Sequence, residues 1–179
     1  MSVKSFWKKD QSKIFSMLIM VTSLAFYLFF AFYDGAVICV DSPTYIEMSI
    51  TREFFYSTLL AVFRVIFGEQ YLLMVVVLQS VLAAFVAWNV TIYFKNKFQL
   101  HEVLAALVFF LQLAVSLLNR FVAGRGVMYS NSILTEGITI PLFLLFIRYV
   151  YEYIADKSRR ALAISCVITG ILIATRKQM

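Results

Sequence analysis

Five carboxylates, Asp34, Asp41, Glu47, Glu53 and Glu69, fall between Asp34 and Gln70, and they are half of the 10 Asp and Glu residues in the chain. The segments on either side are almost purely apolar. A carboxylate at the edge of a bilayer can take a proton from a nearby hydroxyl, so this stretch is a candidate site for proton chemistry at the membrane surface. Four arginines, Arg52, Arg64, Arg120 and Arg125, fall on the same side of the apolar segments as these carboxylates. Cations are uncommon on the side opposite the main Lys and Arg clusters, and binding an anion there would explain them. Glu136 adds a further carboxylate near the start of a later apolar segment.

The elements that must hold these groups follow from composition. Of 179 residues, 62% are hydrophobic and 17% aromatic, with 18 Phe and 10 Tyr. Soluble domains sit near 45–50% apolar. The chain is therefore expected to be an all-α membrane protein. A helix needs roughly 20 apolar residues to cross the hydrocarbon core, and about five spans are expected, at 14–33, 71–94, 103–118, 133–154 and 161–175. The first is too long for a signal peptide and lacks a small-residue cleavage site. Lys4, Lys8, Lys9 and Lys13 precede span one, Lys95 and Lys97 follow span two, and Lys157, Arg159 and Arg160 separate spans four and five. If the spans alternate, all three clusters share one side, and the positive-inside rule makes that side cytoplasmic. The expected location is the cell membrane, with the N-terminus in the cytoplasm and the 34–70 loop outside.

That loop has helical periodicity of its own. Phe54, Phe55, Leu59, Val62, Phe63 and Ile66 recur at spacings of three and four, which predicts an amphipathic helix over 53–67 lying in the membrane interface. Ser42 to Ile50 predicts a second short helix, with Pro43 in its first turn, Ser42 as N-cap and Asp41 at its positive end. Gly68 is expected to stop the longer helix. The net charge of +6 does not point to nucleic acid, because the basic residues form short flanking clusters rather than a stripe. Two cysteines, Cys39 and Cys166, do not make a disulfide framework, and Cys166 is expected to be a small buried residue.

Asp41 and Tyr45, Arg52 and Tyr56, Leu60, Phe67-Gly68 and Gln79 stand in an order that resembles the membrane glycosyltransferases of the GT-C class. These include the protein O-mannosyltransferases and the lipid A aminoarabinose transferases. Leu134-Thr135-Glu136 and the run Gly170 to Arg176 look like further pieces of that pattern. Where many members carry two adjacent acidic residues, this chain has Asp41-Ser42. Members are several hundred residues long, so the chain looks like the amino-terminal part of such a transferase. The resemblance implies transfer of a sugar from a polyprenyl-phosphate carrier to a glycan, lipid or protein acceptor on the outer face. It implies Asp41 as the base that deprotonates the acceptor, with Glu136 orienting the acceptor or helping to hold a divalent metal. Arg52, Arg120, Arg125 and Arg176 would be cations for the lipid phosphate, and the apolar side of the 53–67 helix a guide for the isoprenoid tail.

Plainer roles stand beside each of these. Asp41 could cap a helix. Glu136 could be wet at the interface or paired with Arg125. Arg120 and Arg125 could be snorkelling anchors, and Arg176 a flanking charge. Gln79 reads as an interhelical hydrogen bond and His101 as structural. The sequence holds no phosphate-cradling glycine loop, no Cys/His cluster and no nucleophile triad that the single His101 could serve. The competing expectation is a small multi-pass protein without catalysis, such as a transporter subunit or assembly factor.

Overall fold

The computed structural model describes residues 3–49, 54–122 and 126–175, with residues 3–11 described by their backbone alone. Among the described residues the chain forms α1 (Val3–Asp34), α2 (Ser42–Ile46), α3 (Phe54–Phe67), α4 (Tyr71–Lys97), α5 (Glu102–Val122), α6 (Glu136–Asp156) and α7 (Arg159–Thr175). The only pairing of strand type among them is an isolated parallel bridge between Val37 and Ser132. An all-helical build is what lipid demands, since a helix satisfies its own backbone groups where no water is present.

Four stretches are long and apolar enough to cross a membrane: Ser12–Asp34 within α1, Phe54–Lys97 across α3 and α4, α5 and α6. They coincide with the first four of the five expected spans, with α3 joined to the second. α7, where the fifth span is expected, has 17 described residues and is not among these four. The fourth also starts later than expected. Residues 133–135 belong to a buried turn, and α6 begins at Glu136.

α4 is the hub. α1, α3, α5 and α6 all pack against it, and α7 packs on α6 and α3. Small residues make this close approach workable. Ser80, Ala83, Ala84 and Ala87 of α4 are buried, and Ser23 of α1 donates a hydrogen bond to the Ala84 carbonyl at 3.0 Å. α5 and α6 both lean on α4, but their backbones stay apart, with no Cα of one within 8 Å of the other among the described residues.

The bundle has two distinct ends. At one, Lys97 pairs with Asp156 and Lys95 pairs with Glu102 at 3.3 Å, next to the α6–α7 turn that carries Lys157 and Arg159. Phe15 lies 4.2 Å under the Lys95 ammonium, so the start of the α1 span belongs to this end too. At the other end sit Asp34, α2, Arg120 and the 126–136 segment. Lys95, Lys97, Lys157 and Arg159 therefore share one end of the bundle.

Two local expectations change, in α2 and at Cys166. The first short helix is Ser42–Ile46, five residues, with Asp41 rather than Ser42 preceding its first turn. In α3 the side chains buried against the protein are Tyr56, Ser57 and Leu60, and Phe54, Val62 and Ile66 of the apolar stripe face away from it. Cys166 is exposed on the outside of α7 rather than buried, because the inward face of that helix is taken by Ala161, Ser165 and Ile168. Gly68 does end α3, in the left-handed conformation at φ +56° that a side chain would oppose.

Candidate functional site

The site is built around a buried polar segment, Val127 to Thr135, in which every residue is buried. A loop inside a membrane bundle must find partners for its backbone. Those partners come from the loop that follows α1. Val37 N–H donates to the Asn131 carbonyl at 2.9 Å, and Ile133 N–H donates to the Val37 carbonyl at 3.0 Å. The Asn131 amide reaches back to α1, donating to the carbonyls of Phe30 at 2.7 Å and Gly35 at 3.2 Å. Ser42 closes the arrangement. Its hydroxyl donates to the Ile133 carbonyl at 2.8 Å and accepts from Cys39 N–H at 2.8 Å. The Asp41 loop and the turn that leads into Glu136 are therefore one hydrogen-bonded unit.

Gln79 supports that unit from below. With its amide oxygen accepting from the Tyr56 hydroxyl at 2.9 Å, its nitrogen donates to the carbonyls of Ser130 at 2.8 Å and Ser132 at 3.3 Å. The opposite orientation would aim the oxygen at those carbonyls. α6 can pass over this amide only because residue 137 is glycine. A Cβ there would lie 2.4 Å from Gln79 Cδ and no more than 2.7 Å from either of its terminal amide atoms. Tyr129 is also held in this region, with its hydroxyl 3.3 Å from that of Tyr27. Burial, reinforced by the neighbouring Tyr27, pushes the Tyr129 phenol well above its ordinary pKa, so it acts only as a neutral hydrogen-bonding group.

The candidate residues separate on this frame. Asp41 is exposed beside the buried unit, and its carboxylate makes no cap hydrogen bond to α2. Its backbone carbonyl accepts from the Thr44 hydroxyl at 2.7 Å. Glu136 is half-buried in the first turn of α6 and accepts from the Thr135 hydroxyl at 3.4 Å. Arg120 is committed elsewhere: it pairs with Asp34, whose side chain is only 8% exposed, and lies 5.2 Å over the Phe30 ring. Its role here is to join the end of α5 to the end of α1. Arg52, Arg125 and Arg176 lie outside the described residues, as does Glu53. Among the described residues no three His, Cys, Asp or Glu side chains gather where a metal ion could be held.

Next to the buried unit a cavity of about 1010 Å³ opens where α5 and α6 part. Ala83, Val86 and Ala87 form its floor, Val115 and Phe143 line its sides, and Tyr27, Tyr129 and Thr139 bring polar groups to it. Pro141 also lines it; proline has no N–H to donate, so one helical hydrogen bond of α6 is missing there.

Sequence reasoning missed Asn131 and Gly137. Asn131 had a signal in its setting, a Ser-Asn-Ser triplet at the edge of an apolar segment, where polar groups must find partners. Gly137 had none, because its requirement comes from a side chain on another helix.

The chain matches no family model, and neither a curated protein nor a solved structure is significantly similar to it.

Proposed function

We propose that this protein is a membrane glycosyltransferase, or the amino-terminal part of one. It would transfer a sugar from a polyprenyl-phosphate carrier to an acceptor at the membrane face that carries Asp41. One observation supports this above the others: an exposed carboxylate held on a rigid hydrogen-bonded support, at the end of the bundle opposite the basic clusters. Asp41 would take the proton of the acceptor hydroxyl, since a general base needs a fixed position within hydrogen-bond reach of its substrate. Glu136, on the same support, would orient the acceptor. The outward apolar residues of α3 and the cavity between α5 and α6 both offer room for an isoprenoid tail. In this proposal α3 lies at the interface, the basic end is cytoplasmic and the membrane is the cell membrane.

Arg120 favours a second possibility. Its commitment to Asp34 removes one cation from the candidates for the lipid phosphate, as expected for a multi-pass protein without catalysis. An assay of sugar transfer from polyprenyl-phosphate donors in membranes containing the wild-type chain or Asp41→Asn separates the two. The transferase predicts a drop of about 10²-fold or more in Asp41→Asn with the fold intact. Transfer that survives the substitution removes Asp41 from the chemistry, and no transfer by the wild-type chain favours the non-catalytic protein.

A further inference from the structure

The helix that carries Glu136 starts deep in the bundle. At the basic end α4 and α6 finish together, through the Lys97–Asp156 pair. Towards the other end they meet where the Gln79 amide fills the space beside Gly137. Gln79 to Lys97 is a step of 18 residues and Gly137 to Asp156 a step of 19, so the two helices run side by side in one direction. But α4 begins eight residues before Gln79, at Tyr71, and so reaches about 12 Å farther out at 1.5 Å per residue. Those eight residues, YLLMVVVL, carry no charge. Arg64 closes the stretch by donating to the Tyr71 hydroxyl at 2.8 Å.

α1 gives the same depth. It runs opposite to α4, with Phe15 at Lys95 and Ser23 at Ala84. Asp34 lies 11 residues beyond Ser23, whereas Gln79 lies five from Ala84. The Asp34–Arg120 pair is therefore about 9 Å farther out than Gln79. Arg64 with Tyr71, and Arg120 with Asp34, form a rim of charged and aromatic groups such as marks the headgroup level of a bilayer. Along α4 the rim stands roughly 39 Å from Lys97, close to the 40–45 Å of a bilayer with its headgroups. The first turn of α6 thus lies about 10 Å below the rim, among the upper acyl segments. From there the Glu136 side chain leans back towards the level of the lipid glycerol backbones, as side chains tilt to the N-terminus of their helix.

Lipid can reach that level from the side. Thr139, one turn on from Glu136 and on a neighbouring face, lines the cavity that opens where α5 and α6 part, as does Tyr129. Val115 and Phe143, at the sides of this cavity, are exposed.

We propose that the acceptor is a membrane lipid, attacking through a free hydroxyl at the level of its glycerol backbone, with its acyl chains in the cavity between α5 and α6. This rests on the transferase reading of the Asp41 end, in which Glu136 orients the acceptor and so sets its depth. The lipid hydroxyl gives its proton to Asp41 as its oxygen bonds to the anomeric carbon. The bond from that carbon to the phosphate oxygen breaks, and the polyprenyl phosphate leaves with the electron pair. A protein or a free glycan would have to sink about 10 Å past the headgroups to reach the same place. A lipid hydroxyl is kept at that level by its own chains.

The full chain in proteoliposomes, with a labelled polyprenyl-phosphate sugar as donor, is offered diacylglycerol, a threonine-containing peptide or a free disaccharide. Transfer to diacylglycerol should be on the order of tenfold faster than to either soluble acceptor. Val115→Trp, which narrows the mouth of the cavity from an exposed position, should raise the KM for diacylglycerol several-fold and leave kcat within about twofold. Equal or faster transfer to the peptide or the disaccharide, or an unchanged KM in Val115→Trp, overturns the lipid acceptor and leaves the transferase reading standing. No transfer to any acceptor overturns both. Depth is read without activity from nitroxide labels on Glu136→Cys and on Arg64→Cys, with Cys39 and Cys166 changed to serine. The label at 136 should lie on the order of 5–10 Å deeper in the bilayer than the label at 64. Equal depths overturn the proposal.

Discussion

The Gln79 amide fills the space that a side chain on residue 137 would need, and this contact makes a sharp test of the buried unit. Gly137→Ala should destabilise the protein by about 1–3 kcal/mol, the usual range for forcing a methyl into a packed interior. Shortening the obstructing side chain, as in Gln79→Ser, frees the space but orphans the Tyr56 hydroxyl and the Ser130 carbonyl. The double variant should therefore be less destabilised than the two singles added together, because the groups touch. Thermal unfolding in detergent measures all three, and a Gly137→Ala protein as stable as the wild type would contradict the contact. At this scale a polar residue such as Gln79, inside an apolar run, must find a partner, and that much is legible in sequence. The need for glycine at 137 is not, since nothing within α6 asks for it. Cys166 was misjudged because its apolar neighbours describe the lipid-facing side of α7 as well as they describe a core.

Among the elements, α3 was the more readable of the two helices in the 34–70 loop. Its three-and-four spacing is real, and its stop at Gly68 follows from backbone conformation. The turn at residues 133–135 was not readable. Ile133 and Leu134 look like the start of a span, yet they fold as a turn because Val37 and Ser42 supply hydrogen-bond partners from a distant loop. The join between α1 and α5 makes a prediction of the same kind. Asp34→Ala should cost about 2 kcal/mol, below the roughly 3–5 kcal/mol of a fully buried broken pair, because Arg120 is 21% exposed. Arg120→Ala in the same background should add little, and a double-mutant cycle by chemical denaturation reads the coupling. Additive losses would mean that the pair does not join the helices.

For the molecule as a whole, hydropathy and the Lys and Arg clusters were enough to anticipate a helical bundle with two unlike ends. They could not show that the loops at the acidic end lock together, because that depends on backbone partners rather than on pattern. The two ends should lie on opposite faces of the membrane. Val40, 96% exposed near Asp41, and Asn96, exposed near Lys97, are suitable reporters. With Cys39 and Cys166 changed to serine, Val40→Cys should react with a membrane-impermeant maleimide on intact cells, and Asn96→Cys only after permeabilisation. Labelling of both from the same face would contradict the arrangement.

The separation of α5 from α6 has a mechanical consequence. α5 is clamped near its first residue by Lys95 and near its last turn by Asp34, and between those clamps helical neighbours support one flank only. It resembles a board nailed at both ends with nothing behind its free edge. Along the supported flank the board is also pinned, by buried Phe109 and Leu113 and by the hydrogen bonds of Ser116 to Tyr27 and of Gln112 to Thr91. The width of the mouth it borders is therefore set from one side, by what α5 grips on α1 and α4.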